Sequence, residues 1–392
     1  MKFLNIKNLA TYLSTFLNIL KIYFITNKKL RNNNKSKFIF FYFPVKAYQE
    51  NILELANKLK KNKNIFVFLI YNKLSSLGMN DQKNSFLLDL RYLRFIPFSD
   101  ILLQNIHLFL SNYVAYIFPP NSKNIYISHD IGDTPLVNKE VEEKFFLFLI
   151  SKVDYIFLPS ETTIKYLSKK LIYFLKNQNN KIPKLINTGY LKLDHVKKKL
   201  SYSSNKRDSI LIAPSATHVM NNISTELSKI IETLLESIEE KIVYRPHPYD
   251  LTKKGNINFV EKIIKKFEKN KNFSADLSQT YLKSYSVAKF LITDSSNTAY
   301  TFAYSTLRPI LFYSKNEKEL SKAKIISLIY FQDRLKVGYI SKNINQMLVN
   351  VKKLNEMKSK FKKKIINLRK KRIKYLDKSL KKTHDEILNI LK

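Results

Sequence analysis

The sequence predicts two doubly wound α/β domains in tandem, facing across a cleft, and three observations carry that prediction. Short apolar runs of strand type alternate with helix-compatible stretches from Lys37 onward, the pattern of parallel sheets covered on both faces. The alternation pauses at residues 201–208, SYSSNKRD, which read as a polar linker, and then restarts. The second half contains residues 289–314, KFLITDSSNTAYTFAYSTLRPILFYS, in which a strand, a polar turn, a helix and a further strand follow one another.

In chain order, Leu9 to Ile25 is apolar but interrupted by Asn18 and Lys21, and is flanked by Lys7, Lys28 and Lys29. It is too short and too interrupted to span a bilayer, which needs about 20 apolar residues. No small-residue cleavage site follows it, so residues 1–30 are expected as a helix lying on an anionic membrane surface or packed on the first domain.

Residues 36–200 form the first domain. Its predicted strands are 38–43, 65–71, 113–118, 125–128, 155–158 and 185–188, and its helices include 47–60, 100–110, 137–151 and 161–176. Residues 206–342 form the second domain, with strands at 210–213 and 241–244, helices at 224–237 and 259–269, and then the 289–314 stretch. Residues 343–392 read as a long basic helical tail whose apolar stripe includes Leu348, Val351, Leu354, Phe361, Ile365 and Leu368.

The composition bounds the function. With 45% hydrophobic residues in 392, the chain buries a sizeable core, and the absence of cysteine excludes disulfides and zinc–thiolate sites. The net charge of +38 suggests a polyanionic partner, but abundant Lys, Asn, Ile, Phe and Tyr with scarce Gly and Pro also fit drift toward A/T-rich codons. No segment matches a nucleic-acid-binding module, so no specific nucleic acid partner is expected.

Candidate site residues cluster at predicted strand ends. Asp294-Ser295-Ser296-Asn297 lies between a strand and a helix whose first-turn N–H groups and dipole favour an anion, and Thr293 closes the strand. Arg308-Pro309 ends that helix near Leu307. His247 sits in Arg245-Pro246-His247-Pro248 directly after strand 241–244, where open α/β sheets bind ligands. His129 and Asp130 follow strand 125–128 and precede Asp133. Ser215, Thr217 and His218 follow the first strand of the second domain as possible cleft residues. His107 lies in an apolar stretch read as helical core.

Arg245-Pro246-His247-Pro248, Thr293-Asp294-Ser295-Ser296 and Arg308-Pro309-Ile310 together resemble the carboxyl-terminal half of the CDP-glycerol glycerophosphotransferases, which build teichoic-acid-like surface polymers. Residues 188–194 (TGYLKLD) and 212–215 (IAPS) resemble two further family segments in the same order, so the likeness covers roughly residues 110–315. The resemblance implies a divergent member with a GT-B type fold, a cytidine-nucleotide donor, and neither a metal nor a cofactor. It also implies that Arg245, His247, Thr293, Asp294, Ser295 and Ser296 bind the donor's phosphates, and that His129 is the base.

The chain departs from the family at the first-domain His-Gly-Thr-Pro-Leu segment, here residues 129–136 (HDIGDTPL). Either His129 is displaced by an insertion or Gly132 and Asp133 occupy the His-Gly places, which leaves His129, Asp130 and Asp133 as alternative bases. The transferred group implied is glycerol phosphate or a related alditol phosphate or sugar, and the acceptor a hydroxyl of a polysaccharide or lipid-linked polymer. Such an enzyme works in the cytoplasm, peripheral on the inner face of the cell membrane. A CMP-sugar glycosyltransferase of the sialic acid or Kdo type suits the same half-sites. A non-catalytic basic protein that binds polyanions is the alternative outside the enzymes, and it leaves the tandem α/β pattern without a purpose.

Overall fold

The computed structural model describes residues 6–43, 50–72, 84–129, 131, 140–176, 181–201, 207–217, 223–251, 254–278, 280–322, 329–356 and 360–392. Asp130, Asp133, His218 and most of the polar linker lie outside the described residues. The chain divides into two compact units. One contains Met1–His129, Lys144–Leu191 and Asp377–Lys392, and the other contains Asp130–Glu143 and Lys192–Leu376.

The first unit holds β1 (Lys37–Phe43), β2 (Ile65–Tyr71), β3 (Ser85–Leu87), β4 (Ile106–Ser111), β5 (Lys123–Ile127), β6 (Tyr155–Leu158) and β7 (Lys184–Asn187). All pair in parallel in the order β3-β2-β1-β4-β5-β6-β7. Its helices are α1 (Ile6–Asn32), α2 (Glu50–Leu59), α3 (Ser99–Leu102), α4 (Glu140–Ile150) and α5 (Glu161–Leu175). The apolar run of β1 is buried on both sides, as the period-two alternation of a strand requires. Phe38, Phe40 and Tyr42 pack with Ile19 and Ile22 of α1, whereas Ile39, Phe41 and Phe43 pack with Ile52, Leu55 and Leu59 of α2.

The helix predicted at 100–110 and the strand predicted at 113–118 are not formed. The short α3 is followed by the inner strand β4, and residues 112–122 are a loop. A short apolar run has no period that separates strand from buried helix, and pairing with β1 decides the outcome. His107 therefore sits on β4, where its Nδ1 accepts the Phe38 N–H at 3.2 Å beside the register shift between Phe38 and Ile39. Burial lowers its pKa.

After α6 (Leu191–Ser201) the second unit holds β8 (Ser209–Ile212), β9 (Lys241–Tyr244), β10 (Phe273–Ala275), β11 (Ala288–Thr293), β12 (Ile310–Tyr313) and β13 (Gly338–Ser341). They too are all parallel, in the order β10-β9-β8-β11-β12-β13. Helices α7 (Leu227–Ser237), α8 (Lys254–Phe267), α9 (Leu282–Val287), α10 (Thr298–Thr306), α11 (Glu317–Lys322), α12 (Ile329–Gln332) and α13 (Arg334–Val337) lie between or after them. As predicted, α10 stops at Leu307, which adopts a left-handed φ of 58° before Arg308-Pro309. Both sheets thus have the strand order of a doubly wound fold, which reverses direction between β1 and β4 and between β8 and β11.

The tail is three helices rather than one long one: α14 (Ile344–Glu356), α15 (Lys362–Arg372) and α16 (Ser379–Leu391). Its apolar residues belong to different cores, which is why it is divided. Met347, Val351, Leu354, Ile365 and Leu368 are buried in the second unit. Asp377 turns the chain at a φ of 64°, and Ile387 and Ile390 of α16 join the first unit's core. There the Lys123 ammonium donates to the Ile390 carbonyl at 3.0 Å.

The expectation that this stretch is too short to span a bilayer is corrected: α1 runs for 27 residues, on past Ile25 to Asn32, and by length and composition alone is long and apolar enough to cross a membrane. One stripe of it, Thr15, Ile19, Ile22 and Thr26, is buried against the first unit. Another stripe, Leu9, Leu13, Leu17 and Phe24, is exposed.

Candidate functional site

The second sheet's reversal point gathers the candidate residues of three loops. Ser215 and Thr217 follow β8, Arg245 and His247 follow β9, and Asp294, Ser295 and Ser296 follow β11. All lie at carboxyl ends of parallel strands, where such folds bind ligands.

Two buried carboxylates join these loops. Asp294 is 1% exposed. Its Oδ1 accepts the N–H groups of Ser215 at 2.9 Å and Ser295 at 2.6 Å, and its Oδ2 accepts that of Ile223 at 3.1 Å. Burial pushes this carboxyl's pKa up, and the hydrogen bonds oppose the rise. The Thr293 hydroxyl donates to the Ala213 carbonyl at 2.6 Å. Thr293 and Asp294, expected as phosphate ligands, are therefore turned inward, because a carboxylate surrounded by three N–H donors is an internal clamp. Asp250 is the second joint: it accepts the Thr217 N–H at 3.2 Å, the Thr217 hydroxyl at 2.8 Å and the Asn256 amide at 2.8 Å. It couples the loop after β8 to the loop carrying His247.

What remains toward the ligand side is smaller and better defined. Ser296 is half-buried at the head of α10, and its Oγ accepts the Thr298 N–H at 3.3 Å. The Tyr330 hydroxyl holds the loop from behind by donating toward the Ser296 carbonyl at 3.0 Å. His247 is half-buried, and its Nδ1 accepts the Tyr249 N–H at 3.2 Å, which puts the proton of the neutral ring on Nε2. An Nε2–H so placed donates to an anion, and α10 supplies the positive end of a helix dipole.

Arg245 is held by Asp276 at 2.9 Å, with both side chains almost enclosed. Burial raises the Asp276 pKa, but hydrogen bonds from Ser278 and Ser284 and the charge of Arg245 outweigh it, and the net shift is downward. Arg245 is accordingly an anchored cation, its direction set by Asp276.

In the first unit, His129 follows β5. The Tyr126 hydroxyl lies 3.3 Å from its Nδ1, Tyr113 stacks on its ring at 6.0 Å between centroids, and the Tyr190 hydroxyl donates to its carbonyl at 2.6 Å. Asp130 and Asp133 belong to residues outside the description, as does His218. Among the described residues no group of three or more His, Asp or Glu has metal-site geometry.

Sequence reasoning missed Asp250, Asn256, Asp276 and Tyr330. An Asp three residues beyond His247 was a weak signal for a loop-organising carboxylate; Asn256 and Tyr330 gave none, since only the fold brings them to the loops.

The two sheets and their loops define an α/β protein of the GT-B class, built from two Rossmann-like units. No family model matches the chain, and no curated protein matches it. Solved structures do. The wall teichoic acid polymerase TagF aligns over 99% of this chain and 98% of its own, at 13% identity and a TM-score of 0.63. One of its variants soaked with CDPG aligns over 95% and 93%, at 15% identity and a TM-score of 0.60. A UDP-GlcNAc 2-epimerase of Methanocaldococcus jannaschii, in complex with UDP-GlcNAc and UDP, aligns over 85% and 98%, at 12% identity and a TM-score of 0.54.

Proposed function

We propose that the chain is a divergent CDP-glycerol glycerophosphotransferase. In this reading it transfers glycerol phosphate, or a related alditol phosphate, from a cytidine nucleotide to a hydroxyl of a surface polymer. The observation that carries this reading is the joining of the Arg245-Pro246-His247-Pro248 and Ser295-Ser296 loops at the reversal point of the second sheet. The near-full-length likeness to TagF supports it.

In the proposed reaction the acceptor oxygen attacks the donor's distal phosphorus. The new P–O bond forms as the bond from that phosphorus to the bridging oxygen breaks, and CMP leaves with the electron pair. The acceptor proton goes to the base of the loop after β5, for which the sequence offers His129, Asp130 and Asp133, a positioned base being worth about 10²- to 10⁴-fold in rate. The charge gathering on the leaving phosphate is met by Nε2–H of His247, the Arg245 guanidinium, Ser295, Ser296 and the head of α10. These groups are fixed by Asp250, Asp276 and Asp294 before the donor arrives, so little reorganisation is left for the reaction itself.

The exposed stripe of α1, together with Lys21, Lys28 and Lys29 on the same helix, supports a peripheral position on an anionic membrane surface. Incubation of the purified protein with CDP-glycerol and a glycerol phosphate primer should release CMP and lengthen the primer one unit at a time. Transfer from a CMP-sugar in the same assay, with CDP-glycerol inert, would replace this reading by the glycosyltransferase one. No release from either donor would remove both.

A further inference from the structure

The excess positive charge of this chain is not spread evenly. Between Lys342 and Lys374 there are 13 basic residues and one acid, so 33 residues carry +12 of the +38. The other 359 carry +26, about one fifth of that density per residue. Lysine is about 2.4-fold denser here than in the rest of the chain (11 in 33 residues against 49 in 359), and a single acid offsets it; drift in codon usage raises lysine everywhere and accounts for neither the concentration nor the missing acids.

The segment forms α14 and α15, and its two sides differ sharply. Val351, Leu354, Phe361, Ile365 and Leu368 are buried, Val349 of α14 is exposed, and Arg369 and Arg372 are used internally, on the Tyr304 carbonyl and on Asp333. Its lysines point outward: Lys352, Lys353, Lys362, Lys363, Lys370 and Lys371 are all exposed. Among the described residues none of these six has a carboxylate at ion-pair distance. On α15, Lys363 and Lys370, and likewise Lys364 and Lys371, are seven residues apart, two turns or about 10 Å along one face. The result is a double row of cations with a repeat.

We propose that this face of α14 and α15 binds a flexible polymer of negative charge, namely the phosphate-bearing chain that the enzyme extends; the polymer's identity rests on the function proposed above. A lipid surface fits the face less well. Membrane-docking helices set exposed apolar side chains beside their lysines; α1 has Leu17 and Phe24 exposed near Lys21, whereas α15 has no exposed apolar residue. A soluble polyanion needs no such insertion. It is held by many weak contacts that displace counterions, and it remains mobile along the row. Such a surface keeps the product near the enzyme between additions without fixing its register.

The test uses the full chain and two variants of equal charge. In the first, Lys362, Lys363, Lys364, Lys370 and Lys371 are each replaced by Gln. In the second, exposed lysines of the first unit, Lys61, Lys63, Lys165, Lys169 and Lys176, are replaced likewise. Binding of poly(glycerol phosphate) is measured against salt concentration, beside binding of phosphatidylglycerol vesicles and of CDP-glycerol. The first variant should bind the polymer at least tenfold more weakly and lower the salt slope by up to about 3.5, at roughly 0.7 for each of five lost contacts. It should keep its CDP-glycerol affinity, and the second variant should bind the polymer nearly as wild type does. Equal loss in both variants, loss in neither, or loss of vesicle binding alone would overturn the proposal. If wild type binds no CDP-glycerol while polymer binding still depends on the α15 lysines, the donor reading fails and the polyanion surface stands.

Discussion

The carboxyl edges of the two sheets share a topology and differ in chemistry. In the second unit the loops are held by carboxylates: Asp294 takes three N–H groups, Asp250 takes Thr217 and Asn256, and Asp276 takes Arg245. In the first unit His129 is held by rings and phenols, with Tyr126, Tyr113 and Tyr190 around it. Buried acids that face inward fix loops strongly and leave N–H donors and cations toward the solvent side, which suits an anion. Tyrosines around a histidine bring no charge and suit a neutral hydroxyl. On the function proposed above, the second edge would meet the donor's charge and the first would take the acceptor's proton.

The comparison breaks most visibly at Asp294. Asp294→Ala strands three N–H groups around a buried position, which should cost about 3–5 kcal/mol of stability and abolish nucleotide binding. Asp294→Asn also fails in part, because its amide presents donors to donors. Denaturant unfolding together with nucleotide titration reads both effects, and an Asp294→Ala protein of wild-type stability would break the clamp account.

A smaller effect is expected at the other edge. Tyr126→Phe removes the hydroxyl beside His129, and turnover should fall by about tenfold or less while donor affinity is unchanged; a loss of donor affinity instead would place His129 among the phosphate ligands.

The smallest effect concerns Asp276. Its carboxyl pKa is depressed in the folded protein, so its stabilisation is present above the unfolded value of about 3.9 and is lost as pH falls through the folded value. Asp276→Asn should therefore be less stable at neutral pH and should lose less stability on acidification than wild type. Identical acid profiles would mean that the Arg245 pair contributes nothing.

Much of this was legible in the residues. The strand 241–244 is formed with those bounds, the helix after Asp294-Ser295-Ser296 ends at Leu307, and the tandem α/β order is as read. The part that was not legible has a common cause. An apolar run such as residues 106–111 is strand or helix according to its neighbours, and β1 lies 63 or more residues away in sequence. An aspartate in a polar loop looks solvated until the fold encloses it, so Asp294 read as a ligand and Asp250 and Asp276 went unnoticed. The tail read as one helix because its apolar spacing is regular, although α14 and α15 serve one core and α16 another.

The central claim is that the second sheet's reversal point holds a cytidine nucleotide by its phosphates. The direct test is calorimetric titration of CMP, CDP, CDP-glycerol and UDP into wild type and His247→Ala at one salt concentration. The account predicts that cytidine nucleotides bind wild type at micromolar to millimolar affinity, that UDP binds more weakly, and that His247→Ala loses about tenfold or more. Absence of binding to wild type, or equal binding by His247→Ala, would contradict it.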